Sequence, residues 1–428
     1  MIYDLKIEGG DSMCFMIVDR IVYLRKRDNL SQKELSEAIF QSRSHVSNLE
    51  KNRSPLTVQN ILKLCNFFEV PQNYFSPCDY RPKFRDELEA SFEKLLYNDT
   101  ECLHSFFSKD GYDLEVGQEV AYRLLQAVYY LKKNDFELAT NLINNFIPTF
   151  IKNAEQIADN LTLQKYYHFY LYEKNFKENS LNECLEHSKI LSELATDQKQ
   201  KGRFMVFQSQ ILYRKGLLHE NYTCINKTID FIKSFDSGLL LASAYVNLSS
   251  VLLDFKLYDE ALENLEKIKL INIQHNNKDL HAVYLHHRGL VLKNTKQYIE
   301  AIENLEAAYN CAKHPHNQTK MLISIIICNI KLKQLPKAKE YHNLLKKQNL
   351  RLHEKMISQS LECEITLYEN DLNFHEQKLQ KVLKYFEANG YTSDLKYIYS
   401  YLLKYYFDKK MYKKVAIYSM LKERLEND

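Results

Sequence analysis

The sequence predicts an all-α protein, in which a small N-terminal bundle of helices is followed by a long array of helical hairpins. The 428 residues include only 9 glycines and 7 prolines, and a sheet-rich fold of this length needs more turn residues than that. Apolar residues recur at spacings of three and four along most of the chain, which is the period of an amphipathic helix. Short segments also repeat at intervals of about 40 residues, which is typical of stacked helical hairpins.

Composition and cysteine usage exclude several classes of protein. Hydrophobic residues make up 45% and charged residues 26% of the chain, as in a soluble globular protein. No apolar run is long enough for a membrane span. The segment 1–16 contains Asp4, Glu8 and Asp11 and has no basic flank before an apolar run, so no secretory signal is expected there. The nine cysteines are scattered without a CxxC pair, which indicates reduced thiols in a cytoplasmic protein.

The positive charge of the chain is concentrated near its N-terminus. Residues 16–55 contain eight lysines and arginines against five aspartates and glutamates, and this excess of +3 equals the net charge of the whole chain. The remainder of the chain is therefore balanced. A local excess of this kind favours a polyanionic partner for the segment, although three charges alone decide little.

The same segment carries the start signals of two short helices. Ile17, Ile21 and Leu24 lie on one side of a predicted amphipathic helix over 16–27. Ser31 is followed three residues later by Glu34, a spacing that predicts a capping box in which each side chain satisfies the free backbone N–H of the other. A second helix is therefore expected to begin at this serine.

Two further helices and a last turn complete the predicted bundle. Ser42 is placed to cap a third helix, and Asn52 is expected to end it because asparagine tolerates the left-handed conformation. Pro55 and Thr57 introduce a fourth helix, and a last turn is predicted over 71–75.

Two short helices joined by a tight turn and braced by others form a helix-turn-helix arrangement. The third predicted helix must be narrow and polar on its outer side to enter a major groove about 12 Å wide. Arginine and asparagine can form the bidentate contacts that distinguish guanine and adenine. The outer side of this helix offers Arg43, Ser44, Ser47 and Asn48.

The run LSQKELSEAIFQSRSHVSNLEKNRSP, residues 30–55, resembles the Cro/C1-repressor (XRE) helix-turn-helix family, whose domain is a five-helix, lambda-repressor-like bundle. The matching positions are Ser31, Gln32, Glu34, Leu35, Ile39, Ser42, Val46, Ser47, Leu49, Glu50 and Pro55. The resemblance implies that four side chains face DNA, namely Gln32, Arg43, Ser44 and Asn48. It places three more near phosphates, namely Lys33, Lys51 and Arg53.

One position departs from this family. Phe40 stands where the family usually has glycine in the turn. A bulky residue disfavours a positive φ, so we expect a reshaped turn and a slightly re-aimed recognition helix. The alternative interpretation is a protein-binding module that has lost its DNA contacts; the retained base-facing polar residues favour the DNA reader.

The rest of the chain is a repeat array. Pro77 and Pro82 interrupt helices on both sides, which places a linker at 76–84. The segments 258–268 (YDEALENLEKI) and 298–308 (YIEAIENLEAA) align residue for residue. We expect about eight to nine hairpins with a small residue at each helix crossing. The best anchors are Ala139, Ala261, Ala301 and Ala338.

These units resemble tetratricopeptide (TPR) repeats, which form an α-solenoid. In that family the first helix of each hairpin lines a concave wall, and Asn or Gln amides there can bind a peptide backbone independently of its sequence. The projection places Val246, His286 and Leu290 on this wall. The residues predicted to bind a peptide are Gln210, Tyr213, Asn247, Ser250, Asp254, His287 and Asn294. For any one of them, such as Asn247, the alternative is a role in hairpin packing or simple hydration.

An XRE domain followed by a TPR array resembles the RRNPP family of quorum-sensing regulators. The resemblance implies a cytosolic DNA-binding transcription regulator, controlled by a short signalling peptide bound in the concave groove. A homodimer is expected because one short recognition helix reads few base pairs. The predicted domains are a DNA-binding domain at 14–75, a linker at 76–84, and a TPR-like region for peptide binding and dimerisation at 85–428.

No catalytic chemistry is predicted. The sequence has no GxGxxG, Walker, GxSxG or HExxH motif, and His281, His286 and His287 do not share one helix face, so no enzyme activity, cofactor or metal is expected. Two other functions remain open. The chain could be a TPR adaptor for a partner protein such as a phosphorelay component, or a prophage or stress repressor without a peptide ligand.

Overall fold

The computed structural model describes residues 15–235, 238–312, 315–369, 376–389 and 391–427, and all regular secondary structure there is helical. The predicted all-α fold is therefore confirmed. Cys14 and nearly all of the segment in which no secretory signal was expected lie outside these residues. The chain folds as two compact units, Met1–Phe235 and Asp236–Asp428. No helix in the described ranges is long and apolar enough to cross a membrane.

The N-terminal bundle contains the four helices expected from the sequence and a last turn. They are α1 (Asp19–Arg27), α2 (Gln32–Ala38), α3 (Arg43–Glu50), α4 (Val58–Phe68) and a single 3-10 turn at Gln72–Phe75. The first helix begins three residues later than its apolar pattern indicated. Its inward side chains, including Ile21 and Leu24, are fully buried.

The predicted caps hold the starts of these helices. The backbone N–H of Ser31 donates to Glu34 Oε2 at 2.7 Å, and the N–H of Glu34 donates to Ser31 Oγ at 3.2 Å, which completes the capping box. Ser42 Oγ accepts from the N–H of His45 at 3.2 Å at the start of α3. Asn52 ends that helix with a φ of 53°. These local signals fix both ends of the recognition helix.

The turn between α2 and α3 keeps the geometry that glycine would give, contrary to expectation. Phe40 itself adopts the left-handed conformation, with a φ of 54°. The N–H of Gln41 donates to Ser36 O at 2.9 Å, and that of Phe40 donates to Glu37 O at 3.2 Å, which is a Schellman closure. The ring of Phe40 is 85% exposed. The backbone of Phe40 therefore adopts the strained left-handed conformation, and the turn keeps its usual shape.

The first unit continues with three helical hairpins. Its remaining helices are α5 (Pro82–Leu96), α6 (His104–Phe107), α7 (Val116–Lys133), α8 (Phe136–Asn141), α9 (Ile147–Phe150), α10 (Leu161–Glu178), α11 (Leu181–Glu193), α12 (Gln198–Arg214) and α13 (Leu218–Lys233). The pairs α7–α8, α10–α11 and α12–α13 are antiparallel neighbours. Pro82 is the first residue of α5, a position that needs no backbone N–H. The predicted linker therefore overlaps the start of a helix.

The N-terminal bundle packs directly on the hairpins of its own unit. Arg20 in α1 is fully buried, and its Nη2 lies 2.7 Å from Oε2 of the equally buried Glu119 in α7. Tyr74 donates its hydroxyl to the other oxygen of Glu119 at 3.0 Å. Arg20 also donates to the carbonyl oxygens of Tyr74 and Leu114. The bundle is therefore held by a buried, hydrogen-bonded ion pair.

The second unit consists of five further hairpins. Their helices are α14 (Gly238–Asp254), α15 (Tyr258–His275), α16 (Lys278–Asn294), α17 (Tyr298–Cys311), α18 (Pro315–Lys331), α19 (Leu335–Lys346), α20 (Leu352–Tyr368), α21 (Glu376–Ala388), α22 (Thr392–Asp408) and α23 (Tyr412–Asn427). The anchors Ala261, Ala301 and Ala338 are fully buried. A Cβ placed on Gly289 would lie 2.7 Å from Leu305 Cγ, so α16 and α17 cross as closely as the repeat pattern predicted.

The first helices of these five hairpins form one continuous row. Contacts join α14 to α16, α16 to α18, α18 to α20, and α20 to α22. In the described part of this unit, no comparable contacts join successive second helices. The first helices are therefore closer together than the second helices, so their row forms the concave side of the unit. We call this row of α14, α16, α18, α20 and α22 the inner row.

Candidate DNA and peptide interfaces

The recognition helix α3 is held by its apolar side and leaves its polar side outward. Val46 and Leu49 are 1% exposed each, in the core of the bundle. Arg43 and Ser44 are exposed in the first turn. Ser47 and Asn48 are partly buried along the same helix. The N-terminal turn of α3 is therefore the part most open to a groove of DNA.

The cationic side chains predicted to contact DNA surround this helix. Arg43 forms no hydrogen bond or ion pair with any residue that the structure describes, so its guanidinium is available. Lys51 and Arg53 are exposed just after the C-terminal end of α3. Lys33 is exposed in α2 and lies 3.9 Å from Glu37, a distance at which a solvated pair contributes little. The contacts of these residues with DNA stay predictions.

Gln32 is engaged with the protein rather than free. Its Nε2 donates to Glu50 Oε2 at 2.9 Å. Arg25 donates two hydrogen bonds to the same carboxylate, from Nε to Oε1 at 2.6 Å and from Nη2 to Oε2 at 3.1 Å. Glu50 is the last residue of α3, so this network ties the recognition helix to α1 and α2. The structure thus gives Gln32 a bracing contact.

His45 also holds α3 in place, through a contact with α4 that the sequence pattern did not indicate. Its Nε2 lies 3.1 Å from Nδ2 of the buried Asn60 in α4. The two side chains are fifteen residues apart, so no helical periodicity relates them. Together with the contacts of Glu50, this pair fixes α3 from both sides.

A cavity of about 660 Å³ lies in the first unit beside the start of α5. Its lining includes Tyr80, Arg81, Phe84, Lys109 and Tyr122. None of the predicted DNA-binding or peptide-binding residues lines it. We therefore do not assign it to either interface.

The predicted peptide-binding residues divide between the two units. Gln210 and Tyr213 lie partly buried on α12 in the first unit. Asn247, Ser250 and Asp254 lie on α14, and His287 and Asn294 on α16, in the second unit. That all seven line one groove stays a prediction.

The second-unit residues differ in their surroundings. Asp254 and Asn294 are exposed, each as the last residue of its helix. Ser250 donates its hydroxyl to Val246 O of its own helix at 3.2 Å. Asn247 and His287 are partly buried on neighbouring helices of the inner row. These two are therefore the strongest candidates for ligand contact.

Four polar atoms on the inner row have no hydrogen-bond partner among the described residues; Asn329 Oδ1 on α18 and His353 Nδ1 on α20 are two of them. Asn247 Nδ2 and His287 Nδ1 are both buried and make no hydrogen bond there. An unsatisfied buried polar group costs about 1–3 kcal/mol, so most such groups in folded proteins are paired. That a ligand along the row bonds to them stays a prediction.

Burial lowers the pKa values of three basic side chains on α16. Burial lowers the pKa of His286 to about 3, with further lowering from His287, Lys320 and Lys293. Burial also lowers the pKa of His287 to about 4, with a smaller effect from Lys320. The pKa of Lys293 is lowered by burial as well. Lysines and neutral histidines therefore meet here.

The sequence pattern did not single out Lys293 or Lys320. Lys293 lies in the last turn of α16, where a lysine ordinarily interacts with the free carbonyls of the helix end and with solvent. In this structure Lys293 is partly buried instead. Within the described ranges, no cluster of three or more His, Cys, Asp or Glu side chains could hold a metal ion.

Comparison with known proteins identifies the N-terminal bundle. The helix-turn-helix family HTH_3 matches residues 21–75. No curated protein sequence matches the chain.

Solved structures match the fold of most of the chain. A Rap protein complexed with Competence and Sporulation Factor is 13% identical, with a TM-score of 0.64 over 81% of this chain and 98% of that one. The quorum sensor NprR from B. thuringiensis in its apo form is 13% identical, with a TM-score of 0.57 over 80% and 99%. The Rap conjugation gene regulator of plasmid pLS20, in complex with the Phr* peptide, is 11% identical, with a TM-score of 0.54 over 82% and 98%.

At these identities the likeness shows the fold alone. The chain joins an N-terminal helix-turn-helix domain to a helical repeat region like those of Rap and NprR proteins. The predicted resemblance to the RRNPP regulators is confirmed at this level of domain and fold.

Proposed function

We propose that this chain, an RRNPP-type combination of a helix-turn-helix domain and helical repeats, is a cytoplasmic transcription regulator controlled by a short signalling peptide. The domain would bind an operator as a homodimer, and the peptide would bind along the inner row of first helices. The peptide acts only through its different affinity for two states of the protein. The activity is binding, with no catalytic step.

The DNA-binding part of the proposal is supported by the surface of α3. Arg43 and Ser44 are exposed at its first turn, while Glu50 at its last turn is clamped by Arg25 and Gln32. A DNA-recognition helix must be rigid and must present free polar groups. The entropy lost on ordering a flexible helix would reduce the affinity for DNA. The surroundings of α3 meet both needs.

The single observation that carries the peptide-binding part is that first helices of the inner row leave buried polar atoms unpaired, among them Asn247 Nδ2 and His287 Nδ1. They lie on adjacent first helices, so an extended chain running across the row could bond to both in turn. An asparagine amide suits a peptide backbone, which offers both a donor and an acceptor at each residue.

Two proteins of similar fold favour this ligand class. The pLS20 Rap protein is a conjugation gene regulator in complex with a peptide, and NprR is a quorum sensor. We extend peptide control to this chain as part of the proposal.

A binding series tests the proposal. Random duplex DNA is selected on the full-length chain, and the recovered site is measured by gel shift at several salt concentrations, with and without a synthetic pool of random heptapeptides. We expect sequence-preferring binding whose midpoint changes when the pool is present. No sequence preference at any salt concentration would overturn the proposal, and an unchanged midpoint would remove peptide control.

The two other functions predict different results. If the chain is an adaptor, a partner protein such as a phosphorelay component should saturate the inner row in a pull-down and short peptides should not compete. If it is a repressor without a peptide ligand, Asn247→Ala should leave its regulation of DNA binding intact.

A further inference from the structure

The cavity beside the start of α5 is a preformed site that neither predicted interface uses. Its volume of about 660 Å³ falls within the range of small-molecule sites, about 300–1,000 Å³. Hydrogen bonds fasten two parts of its wall to α7. Gln118 bonds to both backbone groups of Arg81, at 2.7 Å and 3.0 Å, and Tyr122 donates its hydroxyl to the carbonyl oxygen of Lys109 at 2.8 Å. The binding of a ligand therefore requires little ordering of the wall.

The floor of the cavity is apolar and aromatic. Leu114 and Tyr122 are 3% and 1% exposed. The Tyr122 hydroxyl is already bonded to the carbonyl oxygens of Lys109 and Phe106, so this residue offers a ligand its ring and not a polar group. The half-buried ring of Phe84 lies 6.1 Å from that of Tyr122, between centroids, and stacks on the ring of Phe106 at 5.7 Å. Aromatic rings attract each other at centroid separations of about 4.5–7 Å, so this floor suits a flat ring.

The rim of the cavity is charged. It carries three cations against two carboxylates, an excess of one positive charge, on the exposed residues Arg81, Lys83, Lys109, Glu87 and Asp113. Arg81 Nη1 donates to Asp113 Oδ2 at 2.8 Å. That bond lowers the pKa of Asp113, and Lys109 adds a smaller lowering, so two cations act on one carboxylate. Lys109 forms no ion pair with a described residue, and its Nζ lies 5.7 Å from the centre of the Phe106 ring, next to the aromatic floor.

We propose that this cavity binds a small aromatic molecule that carries one negative charge. The ring of the ligand lies on Phe84 and Tyr122, and its anionic group lies beside Lys109. The cavity adjoins the contact between the N-terminal bundle and the hairpins, because the carbonyl oxygen of Leu114 accepts from Arg20 Nη2 of α1 at 2.8 Å. The site shares no residue with the predicted peptide groove, and the inference does not rest on the proposed function.

The fluorescence of indole probes tests this site, because the chain contains no tryptophan. Indoleacetate carries one negative charge, and indoleacetamide is its neutral counterpart with the same ring and nearly the same size. Each probe is titrated with the full-length chain, and its anisotropy measures binding. We expect both probes to bind in a saturable way and indoleacetate to bind about three- to five-fold tighter, which is the gain that one solvent-exposed ion pair gives. Acetate at the same concentration should not displace indoleacetate, because it lacks the ring.

Three variants locate the binding. Lys109→Met removes one charge from the rim and should reduce the affinity for indoleacetate to that for indoleacetamide, which should not change. Phe84→Ala removes a ring from the floor and should weaken the binding of both probes by the same factor. Lys133→Met, at an exposed position near the end of α7, is the matched control and should bind both probes as the wild type does. Thermal melting checks that the variants are folded.

The location of the site and the charge of its ligand can fail separately. If the folded wild-type chain binds neither probe, or if Lys109→Met and Phe84→Ala both bind like the wild type, the cavity is not a site for this class of ligand. Equal affinities of the wild type for the two probes would overturn the negative charge assigned to the ligand. A difference between the probes that Lys109→Met abolishes, together with weaker binding of both by Phe84→Ala, supports the whole inference.

Discussion

Arg43 occupies the first turn of α3 with its guanidinium exposed, whereas Gln32 and Arg25 are already bonded to Glu50. Single residues of the bundle therefore divide into two groups with different expected effects on DNA binding. Those bonded within the protein hold the helix in place. Those left free are the ones that can distinguish bases.

Replacing Arg43 with alanine should reduce discrimination at one base pair by about 1–3 kcal/mol, because a bidentate contact to guanine would be lost. The measurement is competition binding against all single-base variants of the selected site. Lys51→Ala serves as the control: a phosphate contact should weaken all sites equally and lower the salt dependence. Unchanged discrimination in Arg43→Ala would remove this residue from the DNA contacts.

Replacing Phe40 with glycine should raise the free energy of unfolding of the protein by about 1 kcal/mol, since an L-residue with a side chain pays roughly that in the left-handed region. The ring is 85% exposed, so little buried area is lost. Urea denaturation measures the change. Asn52→Gly is the control, because asparagine tolerates a φ of 53° and should gain less. A lower stability of Phe40→Gly would contradict the strain argument.

Between elements, the buried contacts of α1 with α7 and of α16 with its neighbours are the features that local patterns do not show. In both places charged or titratable groups are removed from water. The charged groups between α1 and α7 are paired with each other, whereas the histidines and Lys293 of α16 are not paired with an acidic group among the described residues. The two sites should therefore respond differently to substitution.

The pair of Arg20 and Glu119 should behave as a buried ion pair. Glu119→Leu leaves the fully buried Arg20 without its countercharge and should destabilise the first unit by about 3–5 kcal/mol. The double variant Arg20→Met with Glu119→Leu should regain part of that stability, because the unpaired charge of Arg20 is gone while Arg123, which lies 3.8 Å from Glu119, still loses its anion. Urea denaturation of the four proteins forms a double-mutant cycle. If the two single effects add, the pair is not coupled.

The histidines of α16 should make the stability of the protein depend on pH. Their folded-state pKa values, about 3 for His286 and about 4 for His287, lie below the value of about 6.5 expected in the unfolded chain. The unfolded state therefore binds more protons at acidic pH. Their contribution is complete above pH about 6.5 and is lost as the pH falls toward 4.

The measurement is chemical denaturation between pH 7.5 and about 4.5. A variant with both His286→Gln and His287→Gln should lose less stability than the wild type across this range. His281→Gln, at an exposed position of the same helix, is the control and should follow the wild type. Equal pH dependence in all three proteins would contradict the buried, neutral state of the pair.

For the whole molecule, control by a peptide is a coupling between two binding events, and that coupling must be reciprocal. Whatever factor the peptide applies to the affinity for the selected DNA, the DNA must apply to the affinity for the peptide, typically about 5–150-fold. Calorimetry of each ligand in the presence of the other measures both factors. If both ligands bind but neither changes the affinity of the other, regulation by the peptide fails although both interfaces stand.

The sequence by itself determined the elements of this protein. Capping pairs such as Ser31 with Glu34, and the left-handed stop at Asn52, act between neighbours in the chain, so their residue types predict helix ends directly. The same holds for the hairpin crossings at Ala261 and Ala301, because the two helices of each repeat pack closely at a small residue. Phe40 shows the limit of this reasoning, since the closure of the turn outweighed the preference of its residue.

Only the tertiary structure decided which polar side chains form hydrogen bonds or ion pairs and which have no partner among the described residues. Arg20 meets Glu119 across 99 residues, and Gln32 reaches Glu50 across 18. Conversely, Lys293 is partly buried and forms no hydrogen bond or ion pair with the described residues. Burial and partner choice depend on residues distant in the chain, and no local period encodes them. The bracing contacts of the DNA reader and the unpaired groups of the inner row could therefore not be predicted from the sequence.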